Sequence, residues 1–298
     1  MNQAAPAKVN LFLHVGARRD DGFHPLQSLA VFTALGDTLT AEAGEGLSLS
    51  VTGPFAAGLQ SEQDNLVLKA ARALAAEAGR MPEAKLLLTK NLPVASGIGG
   101  GSADAAGALR ALSGLWGLSI SPARLGEIAA SLGSDIPVCL ANVPAFMEGR
   151  GEIITPVESF PRVALLLVNP GVAVPTKNVF AALENRSGAA MKLPRGRFRD
   201  CADLLRFLDA THNDLEAPAR IIAPVINDVL NALADLPGAL FARMSGSGAT
   251  CFALFPDDDS CMRGAALLRE KNPGWWIAPS FVPEFNIEHE EAGRDIGP

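Results

Sequence analysis

Leu92-Pro-Val-Ala-Ser-Gly-Ile-Gly-Gly-Gly-Ser-Ala-Asp-Ala-Ala106 is a glycine-rich loop that runs into an alanine-rich helix ending near Gly114. Gly97, Gly99, Gly100 and Gly101 fill four of five consecutive positions. A plain turn needs one or two glycines. Without Cβ atoms the backbone N–H groups can approach an anion, and the start of the following helix adds about half a positive charge. The stretch therefore predicts a phosphate cradle. It is not a P-loop, because no lysine precedes Ser102. It is a poor dinucleotide fingerprint too, since Gly97-x-Gly99 is followed by Ser102 and lies a third of the way along the chain.

Upstream, Val9, Leu11, Leu13 and Val15 alternate with Lys8, Asn10, Phe12 and His14, the period of a strand that puts Lys8 and Asn10 on one face. Pro25 to Leu35 reads as helical, with short strands at 38–43 and 47–51. A helix from Asn65, capped by Asp64, stops at Gly79, and Leu86 to Leu88 reads as a buried strand. Downstream, Ser121 and Pro122 open a helix that ends at Gly133. Ala164 to Val168 reads as a buried strand, and Thr176 as the cap of a short helix with Thr176 and Phe180 one turn apart. Residues 186–200 read as a loop, 214–236 as one helix and 239–244 as a strand. A tight Ser245-Gly-Ser-Gly248 turn leads into a strand at 250–255, and Asp257 opens a helix. Trp275 to Ile277 is a last strand, and Glu288 to Pro298 reads as a frayed acidic tail.

Composition narrows the partners. The chain has 298 residues, 48% hydrophobic and 19% charged, as expected of a soluble folded protein of about two domains. Acidic residues outnumber basic ones 32 to 25, giving a net charge of -7, which argues against nucleic acid and leaves small phosphate compounds as ligands. Cys139, Cys201, Cys251 and Cys261 form no C-x-x-C pair and read as buried, inert thiols. No run reaches the ~20 apolar residues of a membrane helix, and Met1 to Val15 lacks the basic start of a secretory signal. A cytoplasmic protein, monomeric or homodimeric, is expected.

Phosphoryl transfer to an alcohol without a P-loop lysine needs a cation and an acceptor for the hydroxyl proton. Lys8 and Asp135 are the candidates. Taken alone, Lys8 reads as well as a solvated residue at a strand start, and Asp135, before Ile136 and Pro137, as a helix cap. Spacing does not join them. His14, His212 and His289 have no partner by spacing and read as structural or exposed.

Three segments together, PAKVN from Pro6, LPVASGIGGGSADAA from Leu92 and MSGSGATCFALF from Met244, resemble the three motifs of the GHMP kinases. Further segments are similar to the branch that phosphorylates a cytidine diphosphate methylerythritol on the methylerythritol phosphate route to isoprenoids. These are DGFHPLQSL from Asp21, DNLVLKAA from Asp64, GSDIPV from Gly133, AFMEGRGE from Ala145, VPTKNVF from Val174 and NDLE from Asn213. The resemblance implies a two-lobed α+β and α/β fold. Residues 1–158 would form the N-terminal ATP-binding domain and 159–298 a ferredoxin-like C-terminal domain, with the active site in the cleft between them.

The resemblance also implies roles. Asp135 is the catalytic base and Lys8 its cationic partner, placed to stabilise developing alkoxide charge. Asn10 holds the substrate hydroxyl or the lysine. Phe23, His24 and Phe180, with Thr176 nearby, resemble a cytosine clamp, in which aromatic faces stack on the base. The branch commonly has tyrosine where Phe23 stands, and this chain has none. ATP, the co-substrate, falls to Asn65, Lys90, Pro93 and the loop Gly97, Gly99, Gly100, Gly101 and Ser102, with Ser102 an oxygen ligand toward Mg2+. A GHMP kinase for homoserine, mevalonate or a sugar would have no use for the clamp. A silent binding protein on the same fold would be expected to lack Lys8 or Asp135.

Overall fold

The computed structural model describes residues 1–17, 20, 24–57, 59, 65–183, 191–194 and 196–287. Contacts divide the chain into two units. One comprises Met1–Lys8, Leu35–Val94 and Gly99–Asn142; the other comprises Val9–Ala34, Ala95–Ile98 and the residues from Val143 onward.

In the first unit the chain enters on β1 (Asn2–Val15), whose start pairs with β2 (Leu26–Glu42) through reciprocal bonds between Met1 and Ala41. The end of β2 pairs antiparallel with β4 (Ala84–Thr89), Thr38 facing Thr89, and β3 (Leu47–Thr52) lies parallel on the other side of β4. Helices α1 (Leu66–Glu77), α2 (Gly100–Leu115), α3 (Pro122–Leu132) and α4 (Ile136–Ala141) pack on one another. Alanine allows this closeness: Ala103, Ala105, Ala106, Ala108 and Ala111 of α2 are all buried. Asn65 caps α1, accepting the Val67 N–H at 2.9 Å, and Ser121 caps α3. Asp64 lies outside the described residues.

The second unit adds β5 (Ala145–Glu148), paired with Ser28–Ala30 of β2, then β6 (Ile153–Pro156), β7 (Ser159–Phe160) and β8 (Val163–Asn169). Helices α5 (Thr176–Ala181), α6 (Cys201–Asp209), α7 (Glu216–Ile222) and α8 (Val225–Ala234) lead to β9 (Phe241–Met244) and β10 (Cys251–Phe255). The described chain closes on α9 (Asp258–Lys271), β11 (Trp276–Val282) and β12 (Phe285–Asn286), the last paired with β7. An antiparallel sheet in the order β11-β8-β10-β9 backs a core that includes Leu166, Val168, Ile226, Val229 and Phe255.

Several sequence expectations are corrected here. Residues 26–35 are strand, not helix: Gln27 to Thr33 are buried on both faces of β2, so no period-2 alternation marks them. The expected helix 214–236 is two helices, because Pro224 supplies no N–H and the ladder breaks at Ala223. Leu87 is exposed at 41% while Leu86 and Leu88 are buried, so β4 has one solvated side. Helix α6 was not expected. Its signal was Asp200, whose carboxylate caps the Asp203 N–H at 2.8 Å ahead of the buried Leu204 and Leu208. The expected tail from Glu288 lies outside the described residues.

Candidate active site

Lys8 and Asp135, 127 residues apart, form an ion pair, Nζ to Oδ2 at 2.9 Å. Asp135 stands at the N-cap position of α4, yet its side chain makes no capping bond. With Pro137 in the first turn, one of the N–H groups a cap would satisfy does not exist. The capping explanation therefore fails, and the carboxylate, 37% exposed, is turned to a lysine that is only 4% exposed. The lysine stem lies along Gly99: a Cβ there would sit 3.1 Å from both Cβ and Cε of Lys8, and Gly99 holds φ +64°.

Gly99 also occupies the N-cap of α2, with no side chain to take the first N–H groups of the helix. Those groups have no intrahelical acceptor and point outward, which suits an anion. At Gly97 the reason for glycine is different. A Cβ would meet the carbonyl oxygens of Gly248 at 2.6 Å and Ser245 at 2.7 Å, while the Ser245 hydroxyl donates to the Gly97 carbonyl at 3.1 Å. The Ser245–Gly248 turn thus approaches the loop backbone directly.

A cluster absent from the sequence reading sits under the loop. The Lys90 ammonium binds Asp37 and, at 2.9 Å, Oδ2 of Asp104, all three side chains buried. Asp37 Oδ1 accepts the N–H groups of Asn91 and Leu92 at 2.6 and 2.9 Å, pinning the entry to the loop, while Asp104 lies in the second turn of α2. Burial pulls the Lys90 pKa down, but Asp104 and Asp37 outweigh it and leave it raised. Burial pushes Asp104 up to about 7, against the pull of Lys90. A Cβ at Gly100 would point inward, 3.3 Å from the Lys90 ammonium, whereas one at Gly101 would meet only Leu66 at 3.7 Å. Lys90 is thus engaged beneath the loop. Pro93 is buried, and Ser102 is half-buried in the first turn of α2.

In the second unit, Asn10 is buried on β1, its N–H on the Ser245 hydroxyl at 3.1 Å and its Nδ2 donating to Ser28 at 2.7 Å. The His24 and Phe180 rings lie 5.8 Å apart and tilted by 35°, with His24 Nδ1 3.0 Å from the Gly16 carbonyl. Phe180 is half-buried and packs on the unit's core. Thr176 is the first residue of α5, not its cap. Pro175 holds that position, and the Thr176 hydroxyl pairs with Ser247 at 2.8 Å. Phe23 lies outside the described residues.

His14 and His212 do have partners: their rings stack at 4.3 Å, and His212 meets Asp214 at 2.8 Å. His289 lies outside the described residues. Burial pushes the Cys139 thiol up to about 12 and Cys261 to about 11, in keeping with inert thiols, while Cys201 is half-buried. Among the described residues, no three His, Cys, Asp or Glu side chains converge as a metal site.

The GHMP kinases N terminal domain family matches residues 65–150 and the GHMP kinases C terminal family matches residues 189–260. A 4-diphosphocytidyl-2-C-methyl-D-erythritol kinase of Rhodospirillum rubrum is 53% identical over 276 residues, covering 93% of this chain and 90% of that protein. The kinase of the same name from Ruegeria pomeroyi is 53% identical over 280 residues, covering 93% and 98%. A crystal structure of a 4-(cytidine 5'-diphospho)-2C-methyl-D-erythritol kinase matches with TM-score 0.75 at 32% identity, covering 95% of this chain and all of that one. An L. major mevalonate kinase in complex with R-mevalonate matches with TM-score 0.67 at 18% identity, over 96% and 97% of the two chains, a likeness of fold alone.

Proposed function

The chain belongs to the 4-diphosphocytidyl-2-C-methyl-D-erythritol kinases of the GHMP family, and we infer that it transfers the γ-phosphoryl group of ATP to the 2-hydroxyl of that cytidine compound, a step of the methylerythritol phosphate route to isoprenoids. The observation that carries the mechanism is the Lys8–Asp135 pair at 2.9 Å. Asp135 accepts the hydroxyl proton as the new P–O bond forms, and the Lys8 ammonium offsets the charge that grows on the alkoxide. An aspartate is a weak base for an alcohol, so proton transfer comes late, after most of the P–O bond has formed.

The ATP phosphates take the N–H groups at Gly99, Gly100, Gly101 and Ser102, with Gly97 held back by the Ser245–Gly248 turn. Asn65 and Pro93 lie toward the adenine. Lys90, held by Asp37 and Asp104, supports the loop from beneath. Mg2+ accompanies ATP in this reading: the Ser102 hydroxyl would give one oxygen and the phosphates most of the rest, which suits an ion that keeps several waters. Bound there, it would neutralise phosphate charge. Asp104 gives Oδ2 to Lys90, while its Oδ1 is buried without a hydrogen-bond partner among the described residues.

The cytosine stacks on Phe180, with His24, Phe23 and Thr176 around it. A domain division at residue 158 is supported by family matches that fall on either side of it, although Val9–Ala34, Ala95–Ile98 and the residues from Val143 to 158 pack with the second unit; the location in this reading is cytoplasmic. The deciding experiment measures ATP turnover with 4-diphosphocytidyl-2-C-methyl-D-erythritol, homoserine and mevalonate in parallel. Turnover with the cytidine compound alone is expected; a preference for either of the others would overturn the reading.

A further inference from the structure

Arg110 is the only basic residue of α2 and is half-buried, between the fully buried Leu109 and Ala111. Among the described residues no carboxylate forms an ion pair with it, and burial pulls its pKa below the ordinary value. A cation drawn out of water without a counter-ion needs other acceptors. It finds three, all main-chain carbonyls: Nη1 donates to Cys139 at 2.9 Å and to Leu140 at 3.3 Å, and Nη2 donates to Ala4 at 2.9 Å.

Each acceptor belongs to an element that carries part of the candidate site. Cys139 and Leu140 lie in the last turn of α4, where carbonyls lack partners within the helix, and Cys139 is four residues after Asp135. Ala4 is on β1, four residues before Lys8. Asp135 makes no capping bond at the start of α4, and the helix is under two turns long, so both of its ends move together. The planar guanidinium is a rigid fork. It therefore fixes the distance from the strand of Lys8 to the helix of Asp135, whose side chains meet at 2.9 Å. We propose that Arg110 is a positioning residue that holds β1 and α4 in place for the Lys8–Asp135 pair, an inference that rests on the reading of Asp135 as the base.

The test measures phosphoryl transfer to 4-diphosphocytidyl-2-C-methyl-D-erythritol by the full chain, in single turnovers and at steady state, well below the Tm of each variant. Arg110→Met keeps the stem and removes the fork. It is expected to lower the single-turnover rate about tenfold through misplacement of the base, with KM for ATP and for the cytidine substrate within about twofold of wild type. In an Asp135→Asn background the same substitution should cost no further rate, a coupling that a general loosening of the fold would not produce. Arg110→Lys, which keeps the charge but reaches one side only, takes its place in the cycle if Arg110→Met does not fold. A wild-type rate in the folded variant, or the same fold-loss in both backgrounds, would overturn the proposal alone. A wild-type rate in Asp135→Asn would instead overturn the reading of Asp135 as the base, and this role for Arg110 with it.

Discussion

The carbonyl oxygen of Gly248 lies 2.6 Å from the point where a side chain on Gly97 would begin, and Gly97 holds φ +79°. Two separate constraints, space and backbone conformation, therefore demand glycine there. Gly97→Ala should destabilise the protein by about 2 kcal/mol or more, since an L side chain in the left-handed region alone costs about 1 to 2 kcal/mol. Gly101→Ala is the contrast: its Cβ meets only Leu66 at 3.7 Å, and alanine is the better helix former. Thermal unfolding should separate the two variants, with Gly101→Ala at or above wild-type stability. If the backbone at residue 101 approaches a phosphate, Gly101→Ala should still raise KM for ATP. A stable Gly97→Ala would contradict the close approach of the two segments.

Asp135→Asn should lower kcat by about 10²-fold or more, the scale on which a general base is lost. Asparagine keeps an oxygen for Lys8, and the carboxylate caps nothing, so Tm should fall by no more than about 4 °C. Single-turnover rates near wild type, with the fold intact, would remove Asp135 from the chemistry.

How far the sequence was readable follows from the range of the physics involved. The glycine loop and the caps at Ser121 and Asp257 are local, so a few residues carry their signature, whereas α1 is capped by Asn65, one position past the Asp64 that the sequence suggests. Residues 25–35 misled because both faces of β2 are buried by segments distant in sequence, and a run apolar on both sides has no period. The Lys90 cluster was hidden for a related reason. Asp37 is 53 residues from Lys90, and no spacing rule couples them. Asp104, the lone acid in an alanine-rich helix, is the visible hint, since a carboxylate buried among apolar residues must find a partner. Lys8 and Asp135 each stand out in the sequence, but only family resemblance joins them, and only the fold brings their atoms together.

Phe180 carries two readings that a substitution series can separate. It packs on the core of its unit and lies 5.8 Å from His24. If it stacks on cytosine, Phe180→Ala should weaken binding of the cytidine substrate by about 1 to 3 kcal/mol and leave ATP affinity unchanged. Trp and Tyr should retain binding because they keep a π-face, and Leu should resemble Ala. Core packing alone predicts the reverse, with Leu tolerated and Trp disruptive. Calorimetry on folded variants decides: a Leu variant that binds like wild type would make Phe180 a core residue.

The stacked pair of His14 and His212 predicts a pH dependence of stability. The His14 pKa lies below its ordinary value, first because the ring is buried, and then because His212 and Arg243 repel its charged form more than Asp214 attracts it. The geometry agrees, since His14 Nε2 accepts the His212 backbone N–H at 3.3 Å and a proton there would break that bond. The unfolded chain takes up the proton near pH 6.5, while the folded one takes it up only at lower pH. Between those values the unfolded state binds more protons. The contribution of neutral His14 is therefore complete above about pH 6.5 and is lost as pH falls, by at most about 1.4 kcal/mol per pH unit. His14→Gln removes the titration and keeps an acceptor for the His212 N–H. Urea unfolding of both proteins from pH 7.5 to 5.0 should show the wild type losing stability faster than His14→Gln below pH 6.5. Parallel pH profiles would mean that His14 titrates alike in the folded and unfolded chains, and that its stack with His212 exerts no hold on the proton.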